Sequence, residues 1–236
     1  MMKILYEDNH IIVAVKDGGI LSQAGDKDIP DMLTLLKAYI KEKYNKPGNV
    51  YLGLVHRLDI NTKGIMVFAR TSKAAERLNN EIKNHDFSKS YYALVEGKLD
   101  NKEFVRLDAK LSKDENTKKA YIDNKNGKEA SLEYRVIDNI KHEGKDLSIL
   151  DIRLITGRFH QIRCQFSSIG HPLYGDYKYG SKNKVDIDYT LLYAYKLEFN
   201  HPTTKERLTF VLDEALNEIR TNLWWCPHIK KYKWCK

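Results

Sequence analysis

Tyr51-Leu52-Gly53-Leu54-Val55-His56-Arg57-Leu58-Asp59-Ile60-Asn61-Thr62-Lys63-Gly64-Ile65-Met66-Val67-Phe68-Ala69 places two strand-like runs, 51–54 and 65–69, on either side of a largely polar segment that ends in glycine. Such a segment is a loop between two buried elements. Toward the C-terminus, Ser72 predicts the cap of a helix to about Asn84 with Ala75, Leu78 and Ile82 turned inward, and 89–96 reads as a strand. Leu132, Tyr134 and Val136 alternate with polar residues and 148–155 is strand-like, so two antiparallel strands are expected there. A helix from about Phe159 to Ser168 follows, with Phe159, Ile162, Phe166 and Ile169 on one face and Gly170 placed to stop it. Strands over 191–199 and 207–211, around the turn Asn200-His201-Pro202, precede a short helix from Asp213. Toward the N-terminus, 4–6 and 11–16 are strands, and Asp31 caps a helix carrying Met32, Leu35, Leu36, Tyr39 and Ile40 on one face. The stretch 99–128 is expected to be strand fragments joined by long exposed, mobile loops. Many strands with unevenly distributed helices indicate an α+β fold rather than a doubly wound parallel sheet.

The 236 residues are 42% hydrophobic and 31% charged, which describes a globular protein with a sizeable core and excludes a disordered chain. No repeat or interdomain linker is visible, so one domain over 1–236 is expected, with the tail from about 222 to 236 left open. The absence of a run of about 18 apolar residues, and of a signal-peptide apolar segment at the start, argues for a cytoplasmic protein without a membrane partner. Cys164, Cys226 and Cys235 are too few and too odd for a disulfide framework. His228 lies between the last two, but a fourth ligand at zinc spacing is missing, so no metal is expected. Forty Lys and Arg against 32 Asp and Glu give a net charge of +8, compatible with a nucleic-acid partner but not diagnostic of one. The tail Lys230-Lys231-Tyr232-Lys233-Trp234-Cys235-Lys236 suits an RNA grip as well as it suits a solvated terminus.

Three segments could carry chemistry. Asp59 follows a buried strand, stands near Arg57 and precedes a glycine-terminated turn, the setting of a nucleophilic or general-base carboxylate held on a rigid scaffold. The same residues fit Asp59 as a turn cap paired with Arg57. In Thr156-Gly157-Arg158-Phe159-His160-Gln161-Ile162-Arg163, Arg163 falls at the edge of the apolar face. There it is partly desolvated and needs a carboxylate or phosphate, with Asp59 the expected partner. Arg163 could instead snorkel, and His160 could be a packing residue. Lys89-Ser90-Tyr91-Tyr92-Ala93 sets its two tyrosines on opposite faces, so that one can line a cleft and stack on a base while the other packs.

Taken together, His56-Arg57-Leu58-Asp59 with Thr62 and Gly64, the Lys89-x-Tyr91-x-Ala93 strand, Gly157-Arg158-x-His160-Gln161-Ile162-Arg163, and Gly170-His171-Pro172-Leu173-Tyr174-Gly175-Asp176 resemble the RluA family of pseudouridine synthases, in the family's order. The likeness runs from about Ile4 to Leu212 and is silent over 99–128. It implies a mixed, largely antiparallel sheet with flanking helices, split by a central RNA-binding cleft, in a chain that needs neither cofactor nor metal. It further implies an RNA pseudouridine synthase acting on rRNA or tRNA; a monomer is expected, although the sequence carries no signal of oligomeric state. Asp59 is the expected nucleophile, with Tyr91 and Arg163 in the catalytic set and Arg57, His56, Arg158 and His160 binding RNA; Tyr174 and Asp176 support the cleft. Because the first strands begin at Ile4, the chain resembles the branch without an S4 domain. Lys16-Asp17-Gly18-Gly19 stands where many relatives have Lys-Pro-x-Gly, which should loosen that turn, while Lys63 and Tyr193 also depart from the common pattern. A noncatalytic RNA-binding or RNA-folding protein is the alternative. A glycoside-cleaving hydrolase would need a second, paired carboxylate.

Overall fold

The computed structural model describes residues 2–25, 29–183 and 190–224, the side chains of 222–224 excepted. The tail 225–236, with Cys226, His228, Cys235 and the basic-aromatic run, lies outside the described residues. Within them, β1 (Ile4–Glu7), β2 (Ile11–Lys16), β3 (Gly53–Leu54), β4 (Lys63–Ala69), β5 (Ser88–Glu96), β6 (Val105–Asp114), β7 (Lys119–Ile122), β8 (Lys128–His142), β9 (Lys145–Leu154), β10 (Leu192–Asn200) and β11 (Arg207–Val211) join in one sheet. The order along it is β1-β2-β4-β10-β5-β9-β8-β6-β7, with β3 added to β4 and β11 to β10. Every pairing is antiparallel except β4 with β10, so the expected mixed, largely antiparallel α+β architecture is found.

Helices α1 (Met32–Lys43) and α3 (Gln161–Ser168) cover one face of the sheet, α2 (Ser72–Lys83) and α4 (Ala215–Trp224) the other. Period-2 alternation feeds both layers: on β2, Ile12 and Ala14 join Leu36 and Ile40 of α1, whereas Ile11, Val13 and Val15 join Ala74 and Leu78 of α2. Each fully buried aliphatic side chain of this kind contributes roughly 1.5–3 kcal/mol. Asp31 caps α1 as expected, accepting from the Thr34 N–H at 3.0 Å. The cap of α2 is Thr71, not Ser72: the Thr71 hydroxyl accepts from Ala74 N–H at 3.1 Å, and Ser72 begins the helix. Among the described residues no helix is long and apolar enough to cross a membrane.

Residues 99–128 differ from expectation. They hold the ten-residue strand β6, paired with β8 from Val105↔Tyr134 to Leu111↔Lys128, and a hairpin to β7. One face of this wing is solvated, so its sequence lacks the apolar run that marks a buried strand. Ile169, expected inward on α3, is 39% exposed because the helix ends at Ser168 and the chain turns through Gly170 at φ +82°.

The feature that opens the site is a split between β4 and β10. They pair only at Lys63↔Tyr193 and Ala194↔Gly64, and β3 takes over the far end of the same β4 edge at Gly53↔Ala69 and Leu54↔Phe68. Gly64 permits the one close approach, since a Cβ there would stand 2.4 Å from Ala194 Cβ. In the gap, the Val67 N–H donates at 3.1 Å to His56 Nε2, a side chain completing a ladder that the backbone leaves open.

Candidate active site

The split leads into a cleft of about 1180 Å³, larger than the roughly 300–1,000 Å³ of a small-molecule pocket. It is lined by 54–60, by 154–163, and by Lys83, Lys89 and Tyr91 among others. Arg57, Lys83, Lys89, Arg158 and Arg163 supply five cations to this lining, and Asp59 is its one carboxylate among the described residues. The second, paired carboxylate that a hydrolase would need is not among the described residues of this lining.

Asp59 is held by its backbone neighbours. Ser22 Oγ accepts from Leu58 N–H at 3.1 Å and donates to Leu58 C=O at 2.9 Å, acting as a strand partner made from a side chain. On the other side, Lys16 is fully buried and donates from Nζ to the carbonyls of Asp17, Ile20 and Ile60 at 2.9, 2.7 and 2.8 Å. Gly19 N–H also donates to Ile60 C=O. The turn without proline is thus fastened by the Lys16 ammonium. Burial pushes Lys16 down to about 7, against the charges of Asp59 and Asp17.

Arg163 comes to Asp59 from α3, its Nη1 donating at 3.3 Å to Asp59 Oδ2. The two are together as expected, yet Asp59 is not the principal partner. Asp176 takes Arg163 in a two-pronged grip, Nε to Oδ2 at 2.6 Å and Nη2 to Oδ1 at 2.9 Å, with both side chains buried. The guanidinium also lies 4.9 Å from the Tyr179 ring. Burial works against its charge, but Asp176 and then Asp59 outweigh it, and the Arg163 pKa is raised. Asp59 itself is pushed up from the ordinary carboxylate value by burial, with Arg163 opposing. One guanidinium edge is therefore locked and the next is presented to a carboxylate that stays partly exposed, at 25%.

His160 stands at the N-terminus of α3 in the left-handed conformation, φ +49° and ψ 29°, a strained setting for a non-glycine residue and frequent at functional sites. That geometry brings Nε2 to 3.6 Å from Asp59 Oδ2, a charge–dipole contact beyond hydrogen-bond length. Nδ1 lies 2.9 Å from the Tyr179 hydroxyl, whose oxygen already accepts from Ala120 N–H at 2.7 Å. Assigned from this network, the phenol proton points at Nδ1 and the ring proton sits on Nε2, facing Asp59. Burial, then the charge of Arg163, pushes His160 down to about 3, so the ring is neutral.

Tyr91 and Tyr92 do take opposite faces. Tyr91 is buried in the cleft wall, while Tyr92 stacks on Tyr195 at 3.6 Å on the far side. Burial, reinforced by the charge of Asp59, raises the Tyr91 phenol well above its usual range. Arg57 is exposed at the cleft with no side-chain partner among the described residues, so the capping alternative with an Arg57–Asp59 pair is absent. Arg158 is exposed and steadied by Nε donating to Glu129 C=O at 2.8 Å. His56 lines the cleft, and its ring plugs the β4 edge; burial with the charge of Lys89 pushes it down to about 3, so it accepts as a neutral ring.

Asp176 was read only as a support, and Lys16, Ser22 and Tyr179 carried no site signal. Asp176, Ser22 and Tyr179 meet partners on other elements, and Lys16 adds the distant Ile60 carbonyl to those of Asp17 and Ile20, at separations that no local period encodes.

The residues 10–168 match the model of the RNA pseudouridylate synthase family. The chain is 31% identical over 211 residues to the dual-specificity RNA pseudouridine synthase RluA of Haemophilus influenzae, covering 89% of this chain and 91% of that protein. It is 32% identical over 231 residues to the ribosomal large subunit pseudouridine synthase C of Buchnera aphidicola, covering 93% and 70% respectively. Among solved structures, human RNA pseudouridylate synthase domain containing 1 superposes with a TM-score of 0.70 at 21% identity, over 98% of this chain and 97% of that one, a likeness of fold. A matched model across most of the chain, and a relative of this identity matched over about nine-tenths of both chains, make the chain a member of the RNA pseudouridylate synthase family, enzymes that isomerise uridine in RNA.

Proposed function

We propose that this chain converts specific uridines of ribosomal or transfer RNA to pseudouridine in the cytoplasm, as a single-domain monomer, with Asp59 as nucleophile. The observation that carries the assignment is Asp59 itself: the one carboxylate among the described residues of a cation-lined cleft, presented by a buried arginine that Asp176 locks from behind. The names of the relatives support ribosomal RNA and a dual-specificity range as substrate classes.

In this reaction the N1–C1′ bond of uridine breaks, the uracil turns, and C5 bonds to C1′ while C5 loses a proton and N1 gains one. Nothing is oxidised and no phosphoryl group moves, so the chemistry calls for no cofactor or metal. Asp59 attacks C1′ or C6 as a carboxylate, and Arg163 aims it and stabilises its charge. Tyr91, a neutral phenol, lies against the uracil face; its raised pKa makes stacking, not proton abstraction, its contribution. The target base is flipped from its stack at a cost of a few kcal/mol, and the unpaired Arg57 fills the space it leaves. Arg158 and His160 border the bound nucleotide.

Pseudouridine mapping of total RNA from cells lacking the gene, complemented by the wild type or by Asp59→Asn, tests this. Sites that vanish and return only with the wild type are expected. If the Asn variant restores them, Asp59 is not the nucleophile; if no site depends on the gene, the noncatalytic RNA-folding reading takes over.

A further inference from the structure

Lys89 belongs to a motif of the sequence, yet the mechanism above leaves it idle. It sits on β5 two residues before Tyr91, hence on the same side of the strand, and lines the cleft. Its side chain is half-buried, and among the described residues it makes no ion pair and no hydrogen bond. Its ammonium stands 5.7 Å from the centre of the Phe87 ring. Burial lowers its pKa with no carboxylate near enough to offset the effect. Lys16 and Arg163, the buried cations of the site, are saturated by carbonyls and carboxylates. A desolvated, unpartnered ammonium is expensive unless an anion arrives.

Gly157 faces this ammonium. A Cβ there would stand 3.3 Å from Lys89 Nζ, so the glycine leaves the amine room on the α3 side of the cleft. On the other side, His56 Nδ1 is a buried ring atom without a partner among the described residues, and the charge of Lys89 reaches that ring. The environment is thus short of negative charge and open toward the substrate. The anion that an RNA strand brings into the cleft is its phosphodiester.

We propose that Lys89, facing Gly157, is the binding site for a backbone phosphate of the RNA strand held in the cleft. This assignment rests on the cleft being the RNA site. Lys89 anchors the strand while Asp59 and Arg163 act on the sugar and base.

The test uses a fluorescently labelled RNA stem-loop with a uridine in its loop, bound by full-length Asp59→Asn with and without Lys89→Met, across a salt series. Loss of a charge-assisted phosphate contact should weaken binding roughly ten- to a hundredfold and lower the slope of log K against log[salt] by about 0.7 to 1. Thermal melting of the Met variant should be unchanged or higher, because an unpaired, half-buried charge is removed. In the otherwise wild-type enzyme, KM for a mapped RNA should rise far more than kcat falls. An unchanged affinity and salt slope overturns the proposal. So does a loss of kcat with an unchanged slope, which would put Lys89 at the base instead. Neither result touches the isomerase reading, which fails if no pseudouridine site depends on the gene.

Discussion

Two arginine–aspartate pairs in this molecule are chemically alike and lie on opposite sides of the cleft wall's usefulness. Arg163 and Asp176 meet at 2.6 and 2.9 Å with 9% and 2% of their side chains exposed, and the guanidinium is backed by Tyr179. Arg135 and Asp151, a cross-strand pair of β8 and β9, meet at 3.0–3.1 Å with the guanidinium backed by Phe104 and the carboxylate shared with Tyr195. The Arg135 side chain, however, is 47% exposed. Water can therefore reach the Arg135 guanidinium, though its carboxylate partner is only 7% exposed, whereas at Arg163 both partners are buried and the one other anion at hand is Asp59. Burial thus separates a pair that decorates a sheet from one that aims a reactive group.

Asp176→Asn is the harshest break of that comparison. It leaves a buried guanidinium with only half its anionic partners, and a destabilisation of about 3–5 kcal/mol in chemical denaturation is expected, together with a collapse of pseudouridine formation. A loss no larger than that of a surface pair would make the two arginines equivalent. The pH profile sharpens the comparison next. Asp59 must be ionised to attack, and burial has raised its pKa, so turnover should fall with acid along a limb centred above the ordinary carboxylate value of 3.8. His160 and His56 are both held near 3 and stay neutral through that range, so neither should add an inflection near 6.5. A histidine-like inflection abolished by His160→Gln would show that the imidazole carries the proton instead. Asp151→Asn closes the series with a smaller effect, about 1–3 kcal/mol because the carboxylate is buried and shared with Tyr195, and product yield unaltered in the same mapping assay.

The fold was legible wherever burial imposes a period. β2 and β11 fall where the apolar run and the alternation put them, and α1 starts at the Asp31 cap. The wing of β6 and β7 escaped because a solvated hairpin is specified by pairing with β8, and pairing leaves no hydrophobic signature. In the site, Asp59 and Arg163 could be matched because both are charged residues tied to buried elements. The grip of Asp176 could not, since a turn after α3 brings it back beneath Arg163 through tertiary geometry. Lys16 gave no site signal for a related reason: only the three converging carbonyls explain the burial of a lysine at a strand end. The structural task of His56 was also hidden, because a missing ladder bond at Val67 is invisible until β3 and β10 are seen to share an edge.

The position of β10 between β4 and β5 also governs when the protein can act. The loop of Asp59 leads into β4 and Tyr91 lies on β5, so the strand between them is the spacer that sets their separation. That spacer begins only at Leu192, and Lys63 finds its neighbour Tyr193 far along the chain. Pairings so distant in sequence close late in folding. During synthesis every reactive group therefore emerges ahead of the strand that brings them into register, and a growing chain carries its chemistry unassembled until that last insertion is made.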